Sequence, residues 1–128
     1  MKKYRVIIET NNNLRDFEIS AALLIAEYFK SDVTFLRPIY LKSPDLVIGG
    51  RVWELKSPVG SSKNTIHNIF QSARKQSDYI IIDLRRCRMH ESNAISRICD
   101  VYKKRRKKKC RMIIIKKNNK VIDIEDIL

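Results

Sequence analysis

A chain of 128 residues is long enough for one domain with a hydrophobic core of its own, and residues 1–128 read as a single unit. Its 27 lysines and arginines against 14 acids give a net charge of +13, while a hydrophobic content of 44% excludes a disordered polyelectrolyte. Such an excess points to a polyanionic partner, nucleic acid being the commonest, and no apolar run reaches the ~18 residues of a membrane span. Cys87, Cys99 and Cys110 are odd in number and lack CxxC spacing, which suits reduced thiols in a cytosolic setting rather than a disulfide frame or a zinc site.

In chain order, Met1 to Glu9 is basic and then briefly apolar. Its apolar part is too short for a secretory leader, so Arg5 to Glu9 is expected to form a strand. Asn11-Asn12-Asn13 makes a turn and supplies the N-cap of a helix over Leu14 to Lys30. At about 100° per residue, Leu14, Phe17, Ala21, Ala22, Leu24, Ile25, Tyr28 and Phe29 share one apolar arc. Glu18 falls inside that arc and needs a partner, because burying a carboxylate alone is costly. A salt bridge to a nearby basic residue and a role as an extra acid at a metal site both satisfy that need. Asp32 to Arg37 is the next strand, and Pro38 to Ser43 a loop.

Leu46 to Ile48 and Val52 to Leu55 then flank Gly49-Gly50, the pattern of a β-hairpin with a two-residue turn. That register sets Ile48 opposite Arg51, Val47 opposite Val52, Leu46 opposite Trp53 and Asp45 opposite Glu54. Lys56 joins the two acids on one face by the period of two. Like charges directly opposed destabilise a ladder, so acids placed this way need a cation between them. The acids with the lysine read as a metal site. A divalent ion held by Asp45, Glu54 and the backbone carbonyl of Leu55 is expected, with Mg²⁺ (or Mn²⁺) suiting hard oxygen donors.

After a break at Ser57 to Ser62, Ser61 or Ser62 caps a helix running to about Ser77, with Ile66, Phe70, Ala73 and Ser77 inward. Its N-terminus would present backbone N–H groups to a phosphate, with Lys63 beside it, although a lysine at a helix start is also commonly just solvated. Tyr79 to Leu84 reads as a strand buried on both faces and parallel to the one carrying Glu54. Arg85 and Arg86 follow at its exit as candidate substrate contacts, and Asp83 beside them suits a cap or an ion pair. Glu91 to Lys108 is the last long helix, with Ile95, Ile98, Val101 and Tyr102 inward. It runs into seven consecutive cations, Lys103 to Lys109, either a footprint for nucleic acid or a solvated helix end favoured by the dipole. Met112 to Ile115 and Lys120 to Ile124 close the chain as a hairpin, with Asp123, Glu125 and Asp126 as surface charge. His67 and His90 have no neighbour in sequence to orient them as bases. The expected fold is α/β, a mixed sheet of four or five strands flanked by helices.

Pro44-Asp45 followed by Glu54-Leu55-Lys56, with eight residues between the acids, resembles the PD-(D/E)XK nuclease signature. The longer pattern Trp53-Glu54-Leu55-Lys56-Ser57-Pro58, Gly60, Thr65-Ile66 and Ile80-Ile81-Ile82-Asp83-Leu84 is similar to the C-terminal toxin domains of contact-dependent growth inhibition (CdiA-type) proteins, some of which cut tRNA. The similarity spans roughly Glu9 to Ile124. It implies a restriction-endonuclease-like core and a metal-dependent endonuclease acting on RNA, foremost tRNA, in the bacterial cytoplasm, with an immunity protein as partner. It also implies that Lys56 orients the attacking water or steadies the phosphate, and that Glu18 completes the metal shell or holds a second ion. A DNA endonuclease of the same fold, of resolvase or restriction type, is the alternative within this class. A nucleic-acid-binding protein without catalysis is the alternative outside it, although a binder has no need of paired carboxylates beside phosphate.

Overall fold

The computed structural model describes residues 3–38, 45–62, 64–68, 79–105 and 110–128. Its strands are β1 (Val6–Ile8), β2 (Val33–Phe35), β3 (Asp45–Ile48), β4 (Arg51–Lys56), β5 (Tyr79–Asp83), β6 (Arg111–Ile115) and β7 (Val121–Asp123). Helix α1 spans Asp16–Phe29, helix α2 spans Glu91–Arg105, and residues 64–68 are helical between β4 and β5. A 3₁₀ turn, Ile124–Asp126, follows β7.

The strands stand side by side in sequence order in one seven-stranded mixed sheet. The pairs β1/β2, β4/β5 and β5/β6 are parallel, each joined by a stretch containing helix, and β2/β3, β3/β4 and β6/β7 are antiparallel. All seven strand segments read from the sequence join this sheet, where four or five were expected to form it; the edge strands β1 and β7 fall where they were expected, at three residues each.

Alternation along the central strands builds a core on each face. Ala21, Ala22, Ile25 and Ala26 of α1 pack on Leu46, Trp53, Leu55, Ile81 and Ile113. Ala94, Ile98 and Tyr102 of α2, with Ile66, pack on Ile80, Ile82, Met112 and Ile114 on the other face. The sheet centre is therefore dry on both sides, which accounts for the unbroken apolar run in β5. No helix among the described residues is long and apolar enough to cross a membrane.

Helix α1 starts differently from expectation. Its N-cap is Arg15, not an asparagine. Asn11 takes a left-handed φ of 64°, and the Asn12 amide donates to the carbonyls of Glu9 and Leu36, tying the ends of β1 and β2 together. Of the C-terminal acids expected as surface charge, Asp126 is exposed, while Asp123 and Glu125 have partners. Asp123 pairs with Arg111 and caps the 3₁₀ turn, and Glu125 accepts from the Tyr102 hydroxyl at 2.8 Å. Of the basic run, Lys103 and Lys104 are exposed on the last turn of α2, and residues 106–109 lie outside the described residues.

Candidate active site

The turn of the β3/β4 hairpin is Gly49-Gly50, with φ of 56° and 79°. Positive φ at both central residues is the primed turn that matches strand twist, and glycine enters it without strain. The resulting register pairs Asp45 with Glu54, Leu46 with Trp53, Val47 with Val52 and Ile48 with Arg51, as the sequence pattern predicts. Leu46, Trp53 and Leu55 enter the α1-side core, so Asp45, Glu54 and Lys56 share the opposite face. On β5 their neighbours are Ile80, beside Glu54, and Ile82, beside Lys56.

Glu54 is fully buried, and its Oε1 lies 3.3 Å from Lys56 Nζ, whose side chain keeps 15% exposure. A buried carboxylate persists only where a partner offsets its desolvation, and the lysine provides that partner from the same face. Asp45, directly across the ladder, is half-buried. Two carboxylates and an ammonium thus gather on the edge of an apolar floor, with one acid out of bulk water and one open to it. Among the described residues no three or more His, Cys, Asp or Glu side chains gather as a metal cluster.

The loop after Lys56 is fastened at several points. Val59 O accepts from the Arg88 backbone N–H at 3.4 Å, and Gly60 O from the Cys87 thiol at 3.5 Å. At Gly60 a Cβ would lie 2.5 Å from Thr65 Oγ1, so only glycine lets the loop approach the following helical segment this closely. Ser62 Oγ is 3.2 Å from Thr65 Oγ1, and Ser62 O accepts from the Thr65 N–H. Ser62 thus serves the helix start as expected. Lys63 lies outside the described residues.

The other candidate residues are placed elsewhere. Glu18 sits on α1, on the far face of the sheet from Asp45 and Glu54, and its Oε1 accepts from the Arg15 backbone N–H at 2.8 Å. It makes the carboxylate half of a capping box, the Arg15 guanidinium having no acceptor for the other half, and that N–H is the partner its place in the apolar arc required. Arg85, expected to contact substrate, is occupied by the protein. Its Nε and Nη2 donate to the two oxygens of fully buried Asp83, at 2.9 Å each. Its Nη1 donates to Ser20 Oγ at 2.8 Å and its Nη2 also to Phe17 O at 3.0 Å. The guanidinium therefore bolts the start of α1 to the end of β5. Arg86 is exposed, with its guanidinium carbon 3.9 Å from the centroid of the Phe17 ring. The sequence signal for the bolt was available: an acid closing a fully apolar strand, followed two residues later by an arginine.

Comparison with known proteins adds to this geometry. In fold the chain is similar to a protein from the CdiA-CT/CdiI toxin and immunity complex of Burkholderia pseudomallei, with a TM-score of 0.65 at 17% identity over 94% of this chain and 98% of that one. No curated protein matches the sequence. The model of the contact-dependent growth inhibition CdiA C-terminal domain matches residues 42–121, a span that holds Asp45, Glu54 and Lys56 and covers more than half of the 128 residues. The chain belongs to that family of CdiA C-terminal domains.

Proposed function

We propose that this domain is a toxin of the PD-(D/E)XK nuclease type, a metal-dependent endonuclease that hydrolyses phosphodiester bonds in RNA, with tRNA as the leading substrate. The observation that carries the reading is the placement of Asp45 opposite Glu54 with Lys56 on the same face. Opposed carboxylates on a ladder repel unless a cation joins them; Lys56 meets that need for Glu54, and a divalent ion between Asp45 and Glu54 would meet it for both acids. The donor set fits a hard divalent ion: carboxylate oxygens of Asp45 and Glu54, with the Leu55 carbonyl between Glu54 and Lys56, would hold Mg²⁺ or Mn²⁺. Such an ion, when bound, neutralises charge on the phosphoryl group and lowers the pKa of a bound water. Lys56 is poised to donate to a phosphate oxygen or to the attacking water. The apolar floor of Ile80 and Ile82 excludes solvent beneath it. Arg86, exposed just past the end of β5, and Lys63, which lies outside the described residues, are the proposed contacts to the phosphate backbone. The Burkholderia relative is named as part of a toxin and immunity complex, which supports an immunity protein as partner here; the proposed place of action is the bacterial cytoplasm.

The test is cleavage of total tRNA, single-stranded DNA and duplex DNA by wild type and Asp45→Ala, with Mg²⁺ or Mn²⁺ and with EDTA. Cleavage of tRNA that is lost with EDTA and with the substitution is the expected result. DNA cleavage with the same dependence would move the substrate class and keep the site. Cleavage that survives both changes would place the active site elsewhere. Tight binding without cleavage under either metal would make the domain a binder. Metal binding is read separately: Mg²⁺ raises the melting temperature of wild type by mass action and leaves Asp45→Ala unmoved.

A further inference from the structure

We propose a second ligand site, on the other face of β4 from the acids, that takes one nucleotide unit, a planar base carrying a phosphate. A cleft of ≈ 500 Å³, lined by Arg51, Tyr79, Cys110, Arg111, Asp123 and Glu125, opens where β4, β5 and β6 begin. That volume is in the range of small-molecule sites. Arg51 and Trp53 alternate with Glu54 along β4, so they look out of the α1 face. Arg51 stands three residues from Glu54, about 10 Å along the strand. The cleft is therefore separate from the candidate active site.

Its chemistry combines planar cations on an aromatic bed with carboxylate acceptors. The Arg51 guanidinium lies 4.2 Å from the centroid of Tyr79 and has no carboxylate partner among the described residues. Arg111 lies 5.5 Å from the centroid of Phe29 and 5.7 Å from that of Trp53, while its Nη2 pairs with Asp123 Oδ2 at 3.1 Å. Behind them Tyr28, Phe29, Trp53 and Tyr79 form a chain of rings with centroids 5.0, 5.4 and 5.3 Å apart. An exposed guanidinium held flat by a ring presents donors to a phosphate and a plane for a base to stack on. Asp123, which already accepts from Arg111 and the Glu125 N–H, and Glu125, which accepts from the Tyr102 hydroxyl, line the cleft with carboxylate oxygens whose remaining lone pairs are of the kind that read exocyclic amino groups. Those same acids repel a bare polyanion, so the cleft selects a base together with its phosphate. A free nucleotide and an unpaired nucleotide of an RNA strand share this chemistry.

The experiment uses the whole chain in EDTA. Trp53 is the one tryptophan and packs beside Arg111 and Tyr79, so its fluorescence reports on the cleft. Wild type, Arg51→Ala, Arg51→Lys and Asp45→Ala are titrated with the four nucleoside 5′-monophosphates, a nucleoside, inorganic phosphate and a trinucleotide. Arg51 is exposed, so its variants are expected to melt like wild type. At least one monophosphate should bind saturably, about tenfold more weakly to Arg51→Ala and with Arg51→Lys between, and equally to Asp45→Ala. Nucleoside and phosphate alone should each bind about tenfold more weakly than the nucleotide. A trinucleotide that binds about tenfold tighter than the monophosphate assigns the site to a strand, and equal affinity assigns it to a free nucleotide. The proposal is overturned if no monophosphate shifts Trp53 fluorescence or the Arg51 and Arg111 amide resonances. It is equally overturned if inorganic phosphate binds as well as the nucleotide, or if binding follows Asp45→Ala and ignores Arg51→Ala. With the metal chelated, each of these failures leaves the nuclease proposal standing.

Discussion

Replacing Arg85 with alanine separates a structural arginine from a substrate-binding one. Asp83 is fully buried, and Arg85 gives its carboxylate two side-chain hydrogen bonds at 2.9 Å and a backbone N–H at 3.0 Å. The substitution leaves only the backbone donor and also severs the bonds to Ser20 and Phe17 on α1. Removing one partner of a buried ion pair costs about 3–5 kcal/mol. The Arg85 side chain keeps 16% exposure, so water can reach the orphaned carboxylate, and the low end, about 3 kcal/mol, is expected. With a urea m-value of about 1–3 kcal/mol/M, the unfolding midpoint should fall by about 1–3 M. Asp83→Ala combined with Arg85→Ala should be less destabilising than the sum of the single changes by at least about 1.5 kcal/mol. A loss below about 0.5 kcal/mol, within the range of ordinary surface substitutions and accompanied by weaker nucleic-acid binding, would refute the bolt and return Arg85 to the substrate.

Two further perturbations read the structure at other points. Gly60→Ala puts a Cβ 2.5 Å from Thr65 Oγ1, and the forced shift should cost about 1–3 kcal/mol in chemical denaturation. Adding Thr65→Ala should recover most of that loss, whereas simple additivity would show that the two residues do not meet. The Tyr28 phenol is raised above its ordinary value by burial and then by the Asp123 carboxylate, against an opposing effect of Arg111. The unfolded chain therefore releases this proton first. The stabilisation is complete below the ordinary tyrosine pKa of 10.0 and is lost as pH rises through the folded value. Between about pH 9 and about pH 11 the unfolding midpoint of wild type should fall more steeply than that of Tyr28→Phe, and parallel curves would contradict the assignment.

The parts of the fold that were legible are those written in local pattern. Gly49-Gly50 between two apolar runs fixed the hairpin register to the residue, because a two-residue turn leaves the ladder no freedom. The apolar run of β5 and the stripes of α1 and α2 were equally local. What escaped was set by contacts between distant segments. Glu18 is half-buried, and the partner its place in the apolar arc calls for is the Arg15 N–H three residues back, hidden because arginine is a rare cap. Arg85 reads as a substrate contact because the sequence shows the nearby Asp83 but not that Ser20 and Phe17 lie across from it. Asp123 and Glu125 looked idle for the same reason, with partners 12 and 23 residues away. The ring chain from Phe29 through Trp53 to Tyr79 needs the strand order and register together, and neither can be read from one strand alone.

Both proposed sites depend on the same six residues. Along Arg51–Lys56 the period of two sends Arg51, Trp53 and Leu55 to the α1 face and Val52, Glu54 and Lys56 to the other. A slip of one residue would drive Glu54 and Lys56 into the α1 core and turn Trp53 out of it, so the register is specified from both sides at once. Trp53 is the anchor on the apolar side, 2% exposed and packed between Phe29 and Tyr79. By holding β4 against β5 it also sets where Glu54 stands relative to Ile80 and where Lys56 stands relative to Ile82. The buried charge of Glu54 is then tolerable because the strand cannot shift to expose it without losing the aromatic contacts behind it. An apolar residue that touches neither acid thereby holds the acids in place, and the strand's rigidity comes from the face where the second ligand is proposed to bind.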